Sequence, residues 1–456
     1  MPKKPLPSHQ RRWLVNELCE WESAGLLQSG QASEILGMYQ SAETAAANTS
    51  ARIVNALMST AAMLVLAGVL LLISFNWQQL TTTTKLTIIF VAILATYVAA
   101  FTTRRRGQLA VSNTLFFLGA AFYGCGIMLI SQIFHMSGHA PDAVWWWALG
   151  TLPLAVALES PLVHALLAAL LAIWSGMEIL GTADIAATSL LRVRFGSEFA
   201  VTLPLLAAPG VLLAVRTKTP TLLWLYAPLL TWWLTLQLFA WERHWNVRSD
   251  HPLYFLCATG GLAMLIAQSH QARSAMALPW RTCGVILTGG CLLPLSFYDI
   301  HESPWSNSID SSGMVWQGVS ILILSACCVA IAGGLAADRL PDLFQRQLLP
   351  LAVNLLMALL AFWSGMFGEP LVPTLLTNLL MLAFGVWLLL LGIREERGRP
   401  FAAGVLYVLL WTTIRYFDLF GSVGGMLGAA ALFFTAGGIL FASAWFWKNR
   451  RHEGKP

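Results

Sequence analysis

Between Ile53 and Trp447 the chain is cut into fourteen apolar stretches of about 20 residues, separated by short polar loops. A helix needs roughly 20 apolar residues to cross a ~30 Å hydrocarbon core, and inside lipid it must satisfy its own backbone hydrogen bonds. Transmembrane strands would be about ten residues long and would alternate in polarity, which these stretches do not. Charged residues are 11% of the chain, against about 25% in soluble domains. The fold class these features predict is all-α: a polytopic transmembrane helix bundle of about 14 spans, N-in/C-in, with a short N-terminal cytoplasmic helical hairpin.

The predicted spans are 53–75, 85–103, 112–133, 143–159, 162–180, 199–215, 220–241, 251–268, 280–300, 315–336, 348–368, 371–393, 400–420 and 426–447. Spans 143–159 and 199–215 are short and hold Pro153, Pro204, Pro209 and Gly210, so kinked or re-entrant geometry is open there as well as a straight crossing. Orientation follows the distribution of basic residues. With a cytoplasmic N-terminus, 21 of the 27 lysines and arginines fall in cytoplasmic segments, among them Arg104–Arg106, Arg394, Arg397 and Arg399. Only Lys85, Arg192, Arg194, Arg243 and Arg248 fall outside, with Arg415 inside a helix. Removing one span would invert every later loop and erase this bias. The net charge of +5 is spread over these loops, not gathered in one patch, which argues against a nucleic-acid partner.

Four segments result: 1–50, a cytoplasmic amphipathic hairpin; 51–160, a first four-helix membrane segment; 161–447, the remaining bundle; and 448–456, a basic cytoplasmic tail. The hairpin rests on two apolar stripes, Trp13, Leu14, Leu18 and Trp21, then Ala32, Ile35, Leu36 and Tyr39, with Gly25 between them. It can dock a membrane or cytoplasmic protein partner, or lie on the bilayer. One internal echo links Leu170–Met177 (LLAIWSGM) and Leu359–Met366 (LLAFWSGM), each at the outer end of a span. A duplicated bundle would leave such a trace, and so would chance in so narrow a composition.

Polar residues inside spans are the natural site candidates, because a charge in hydrocarbon is costly. Arg415 and Asp418 stand at i, i+3 and can pair on one helix face. Glu178 closes the fifth span and Asp299 the ninth; His135 and Asp142 flank a turn containing Gly138 and Pro141. These six residues form the candidate outer polar cluster, with Arg415 expected to pair with Asp418 and to reach an acid such as Glu178 or Asp299. His135, His139 and Asp142 carry metal-type donors, but no further ligand is near in sequence, so no metal or cofactor is assigned. His164, at the inner end of its span, is expected to face the interface. The ionisable groups gather toward one side and avoid the span centres, which lowers the odds of an ion-coupled carrier. The seven cysteines avoid the outer loops and give no disulfide framework, and no nucleotide loop, nucleophile elbow or zinc-protease helix occurs.

Four pieces of sequence carry a family resemblance. They are the hairpin with Gln31-Ala32 and Ile35-Leu36; Asn76-Trp77 after the first span; Gly119–Gly126 leading to Gln132-Ile133-Phe134-His135, Gly138, Asp142 and Trp147-Ala148-Leu149; and Arg415-Tyr416-Phe417-Asp418. In these the chain resembles the bacterial membrane proteins of domain of unknown function 2157, the first three pieces covering roughly residues 8–160. The resemblance implies the inner membrane of a bacterium and supplies no activity. The function expected first is a non-enzymatic scaffold, assembly or sensing component. The alternatives are a transporter or flippase of a neutral or amphipathic solute, and a membrane enzyme acting at the outer face.

Overall fold

A computed structural model describes residues 8–28, 30–37, 80–136, 139–181, 199–245, 252–269, 275–301, 311–335, 340–395 and 397–420, with isolated positions between 57 and 64 and between 434 and 441. Among the described residues every regular element is a helix. They are α1 Ser8–Ser23, α2 Gln31–Gly37, α3 Thr82–Arg105, α4 Leu109–Ile133, α5 Ala140–Leu158, α6 Pro161–Leu180, α7 Thr202–Thr217, α8 Pro220–Trp245, α9 Pro252–Ser269, α10 Ala277–Leu295, α11 Tyr298–His301, α12 Ser311–Leu335, α13 Leu340–Phe367, α14 Leu371–Glu395 and α15 Gly398–Phe420. A helix stands at each span predicted from 85–103 through 400–420; spans 53–75 and 426–447 and the basic tail lie outside the continuously described residues. Among the described residues, seven helices are long and apolar enough to cross a membrane by length and composition: α3, α4, α6, α8, α12, α13 and α14. Thr202–Thr217 and Pro252–Gln268 are shorter apolar helices, so the doubtful span 199–215 is indeed short.

Local sequence sets the helix ends. Pro161, Pro220 and Pro252 each open a helix, where a missing N–H costs nothing and the fixed φ is already helical. The Thr81 hydroxyl accepts from the Thr84 amide to cap α3, and Arg104 and Arg105 lie in its last turn, against the negative end of the dipole. Glu159 and Lys218 take left-handed φ of 51° and 53° to end α5 and α7.

The chain divides into two compact units, Met1–Met136 and Ser137–Pro456. In the first, α1 packs on α2, Leu18 of α1 is buried, and Trp13 and Trp21 stay exposed. The pair α3 and α4 meets where Gly119 lets the Tyr97 ring approach, and the Ser112 hydroxyl donates to the Ala100 carbonyl at 2.9 Å. Beside this contact α3 exposes Phe90, Val91, Leu94 and Val98, an apolar face suited to lipid.

The second unit has one large core, in which Tyr254, Phe255, Met264, Leu292, Val353, Met357, Phe384 and Trp411 pack together from α9, α10, α13, α14 and α15. At its centre α9 and α10 touch backbone to backbone. A Cβ added to Gly284 would fall 2.6 Å from the Gly260 carbonyl oxygen and 3.0 Å from the Met264 nitrogen. In lipid, where apolar surface alone does not drive helices together, such small-residue contacts supply the packing energy. Asn354 of α13 donates to Ser325 of α12 at 3.0 Å, and its amide oxygen fills the space a side chain at Gly261 would need.

Gly284→Ala is therefore expected to destabilise the detergent-solubilised protein by about 1–3 kcal/mol, because backbone atoms cannot yield to the new methyl. Gly290→Ala in the same helix, with nothing within 4 Å of its added Cβ, should be neutral or mildly stabilising. Thermal unfolding of the two variants checks the contrast.

Candidate functional site

Helix α10 carries Pro294 next to its last residue, and it ends by tightening: the Ser296 and Phe297 amides reach back only to the Leu293 and Pro294 carbonyls. The last carbonyls of a helix have no intrahelical donor. Here those of Leu295 and Ser296 lie inside the bundle, and donors from other elements converge on them. His301 Nε2 lies 2.7 Å from the Leu295 carbonyl oxygen, and the Thr377 hydroxyl lies 2.7 Å from it as well. Asn378 donates to the Ser296 carbonyl at 2.9 Å. Arg415 Nη2 donates to that same carbonyl and, at 2.7 Å, to the Ser296 hydroxyl.

Each donor is itself held. A carbonyl can only accept, so His301 carries its proton on Nε2, and its bare Nδ1 accepts from the Tyr254 hydroxyl at 2.9 Å. Trp411 Nε1 donates to the Asn378 side-chain oxygen at 3.2 Å, and the Arg415 guanidinium stands 4.7 Å from the centre of the Phe297 ring. Ser296, His301, Thr377 and Arg415 are all buried. The network thus ties α9, α10, α11, α14 and α15 at one end of the unit. Arg415 places a full positive charge on the negative end of the α10 dipole, where such a charge stabilises.

The other candidates from sequence lie elsewhere. Glu178, near the end of α6, meets His139 at the start of α5: His139 Nδ1 is 3.7 Å from Glu178 Oε2 and 3.2 Å from Asp142 Oδ1. This closes the α5–α6 hairpin with a histidine between two carboxylates. Among the described residues no group of three or more His, Cys, Asp or Glu side chains is placed to hold a metal ion. Asp299 is exposed on α11, two residues beyond Phe297. His135 is exposed, with a φ of 47°, and belongs to the first unit. The Asp418 side chain lies outside the described residues. His164 corrects its expectation: it is fully buried and pairs with the Tyr226 hydroxyl at 2.7 Å, in a space that Gly210 leaves open.

Sequence reasoning picked out Arg415 but missed Ser296, His301's partner Tyr254, Thr377, Asn378 and Trp411. Neutral polar residues are too common in spans to stand out. The available signal was a proline and serine at a helix stop facing an adjacent Thr-Asn pair in an otherwise apolar span. In the first copy of the WSGM echo, the Ser175 hydroxyl donates within its own helix to the Ala172 carbonyl.

Comparison with known proteins agrees with the resemblance read from sequence. Residues 19–164 match the family described as Predicted membrane protein (DUF2157). The DUF2157 match takes in His139 and Asp142 and ends at His164, so Glu178 and the whole Arg415 network stand outside it. No curated protein and no solved structure matches the chain. This is a membrane protein with several apolar helices of the length a bilayer requires.

Arg415→Ala should lower folded yield in membranes well below that of Arg243→Ala, which removes an exposed charge from the last turn of α8. Hydrogen bonds from a charged group are worth about 1.5–3 kcal/mol, and Arg415→Lys should recover only part of that loss, since one ammonium cannot reproduce the guanidinium fork. Fluorescence-detected size-exclusion of tagged variants measures it. Equal yields for Arg415→Ala and Arg243→Ala would remove the capping role.

Proposed function

We propose that this chain is a fourteen-span protein of a bacterial inner membrane, with both termini cytoplasmic, acting as a non-enzymatic scaffold, assembly or sensing component. The observation that carries the reading is the use made of Arg415: the charge most expensive to bury is committed to the end of a neighbouring helix. Arg281 is likewise committed to Glu395, at 2.6 Å. A carrier needs such groups free to exchange partners with a solute or ion near the midplane. Here they act as fixed ties in a closely packed unit. The fourteen-span count and the orientation rest on the loop charges. Docking is assigned to the N-terminal hairpin, whose Trp13 and Trp21 are exposed on α1.

Reporter fusions at Arg105 and Arg397 should read cytoplasmic, and fusions near Asp142 and Ser308 external. A cytoplasmic signal near Ser308 would break the span count between the third and tenth spans. For the scaffold role, mild cross-linking and co-purification from native membranes should recover a defined protein partner. That partner should be lost in the Trp13→Ala/Trp21→Ala variant while the membrane-inserted yield stays unchanged. Solute flux into proteoliposomes carrying the purified chain alone would overturn the role in favour of transport.

A further inference from the structure

At the opposite end of α10 from the Arg415 network, four arginines gather where α10 begins, α14 ends and α15 begins. We propose that Arg394, Arg397 and Arg399 form a binding site for the phosphate headgroup of an anionic phospholipid, seated over the buried Arg281–Glu395 pair. The site rests on the membrane reading above but not on which side of the membrane this end faces.

The buried pair comes first. Arg281 Nη1 lies 2.6 Å from Glu395 Oε1, with side chains only 10% and 8% exposed. Each neutralises the other below the surface. Arg397 Nη1 is 3.6 Å from Glu395 Oε2, and its side chain is 39% exposed, so it bridges from the pair to the outside. Arg394 and Arg399 are exposed beside it. Glu396 also lies in this stretch, outside the described residues. Even counting it, the four arginines outnumber the two glutamates by two.

The backbone sharpens the excess. The Arg397 amide donates to the Gly392 carbonyl at 3.1 Å, turning the chain sharply out of α14. A Cβ on Gly392 would fall 2.5 Å from the Phe401 nitrogen, so the end of α14 and the start of α15 are held tightly together. Two helix N-termini, those of α10 and α15, therefore open at this end, and both carry positive partial charge. Arginines beside positive helix ends are unfavourable unless an anion is shared among them.

The surface below the arginines says what kind of anion. On α14, Arg394 stands one turn beyond Leu390, which is exposed, with exposed Ala383 further down the same side. On α15, Arg399 stands above exposed Ala403, Leu406 and Leu410, at i+4, i+7 and i+11. Both arginines thus crown apolar stripes that face away from the protein. A ligand matching both features carries a phosphate on hydrocarbon chains, which a free phosphate does not. Basic pockets at the ends of membrane helices bind anionic headgroups by this combination.

Native mass spectrometry of the full chain in detergent, titrated separately with phosphatidylglycerol and phosphatidylcholine, tests the site. The wild type should retain phosphatidylglycerol at least about fivefold more strongly. Arg397→Gln and Arg399→Gln should each cost about fivefold of that retention, the effect of one arginine near an anionic surface, and Arg243→Gln should leave it unchanged. The wild-type comparison needs no variant, and Arg399 is exposed, so its replacement leaves the packing intact. Equal retention of the two lipids by the wild type, or an undiminished preference in Arg394→Gln/Arg397→Gln/Arg399→Gln, would overturn the proposal. Displacement of phosphatidylglycerol by millimolar inorganic phosphate would overturn it in favour of a free-anion pocket. Alkaline carbonate extraction separates the two readings: release of the chain from membranes sinks the membrane reading itself, whereas retention without lipid preference sinks only this site.

Discussion

An unpaired carbonyl inside a low-dielectric bundle costs about 1–3 kcal/mol, and the second unit is organised around two of them. Helix α10 stops inside the bundle instead of running out into water, so the Leu295 and Ser296 carbonyls must find partners from the protein. His301, Thr377, Asn378 and Arg415 supply them from three further elements, and Tyr254 and Trp411 hold two of those donors in place. The apolar residues that pack beneath the network give no direction of their own, since the lipid around them is equally apolar. Register in this unit comes from the polar ties at the helix end and from the glycine contacts at the centre, where Gly260 and Gly284 bring two backbones together.

The same logic divides the charges by purpose. Arg415 compensates the negative end of α10, whereas Arg281 sits near its positive end and is tolerated because Glu395 is pressed against it. Glu395 in turn ends α14, where an acid is disfavoured unless a cation is close. Each buried ion thus offsets a helix end that would otherwise disfavour its neighbour. His139 between Glu178 and Asp142 repeats the arrangement on a smaller scale at the α5–α6 hairpin.

Much of this architecture was legible in the sequence, and for a physical reason. Hydrocarbon imposes a length and a composition on every crossing, so runs such as Leu371–Glu395 declare themselves, and proline marks where Pro161, Pro220 and Pro252 open helices. Cost also singles out Arg415, since no buried arginine goes without a reason. Its partner was not legible. The Ser296 carbonyl is backbone and carries no signature in the sequence, and an acid on another helix was the more conspicuous acceptor. Glu178 and Asp142 did come together, but around His139, a residue that only the α5–α6 turn brings into reach. His164 misled for the opposite reason: its place near a span end suggested water, while Tyr226 on another helix provides the hydrogen bond that lets it stay inside.

The Arg415–Ser296 tie joins residues 119 positions apart, and a ribosome makes the chain in one direction only. When α10 leaves the ribosome, the asparagine and arginine that complete its end do not yet exist; His301 follows within a few residues, Thr377 and Asn378 much later, and Arg415 last. The end of α10 is therefore finished in stages by later synthesis, and any nascent or truncated chain that stops short of α15 carries an incompletely paired helix end. Such a mark distinguishes a chain that has not yet reached α15 from one that has, because its removal requires Arg415.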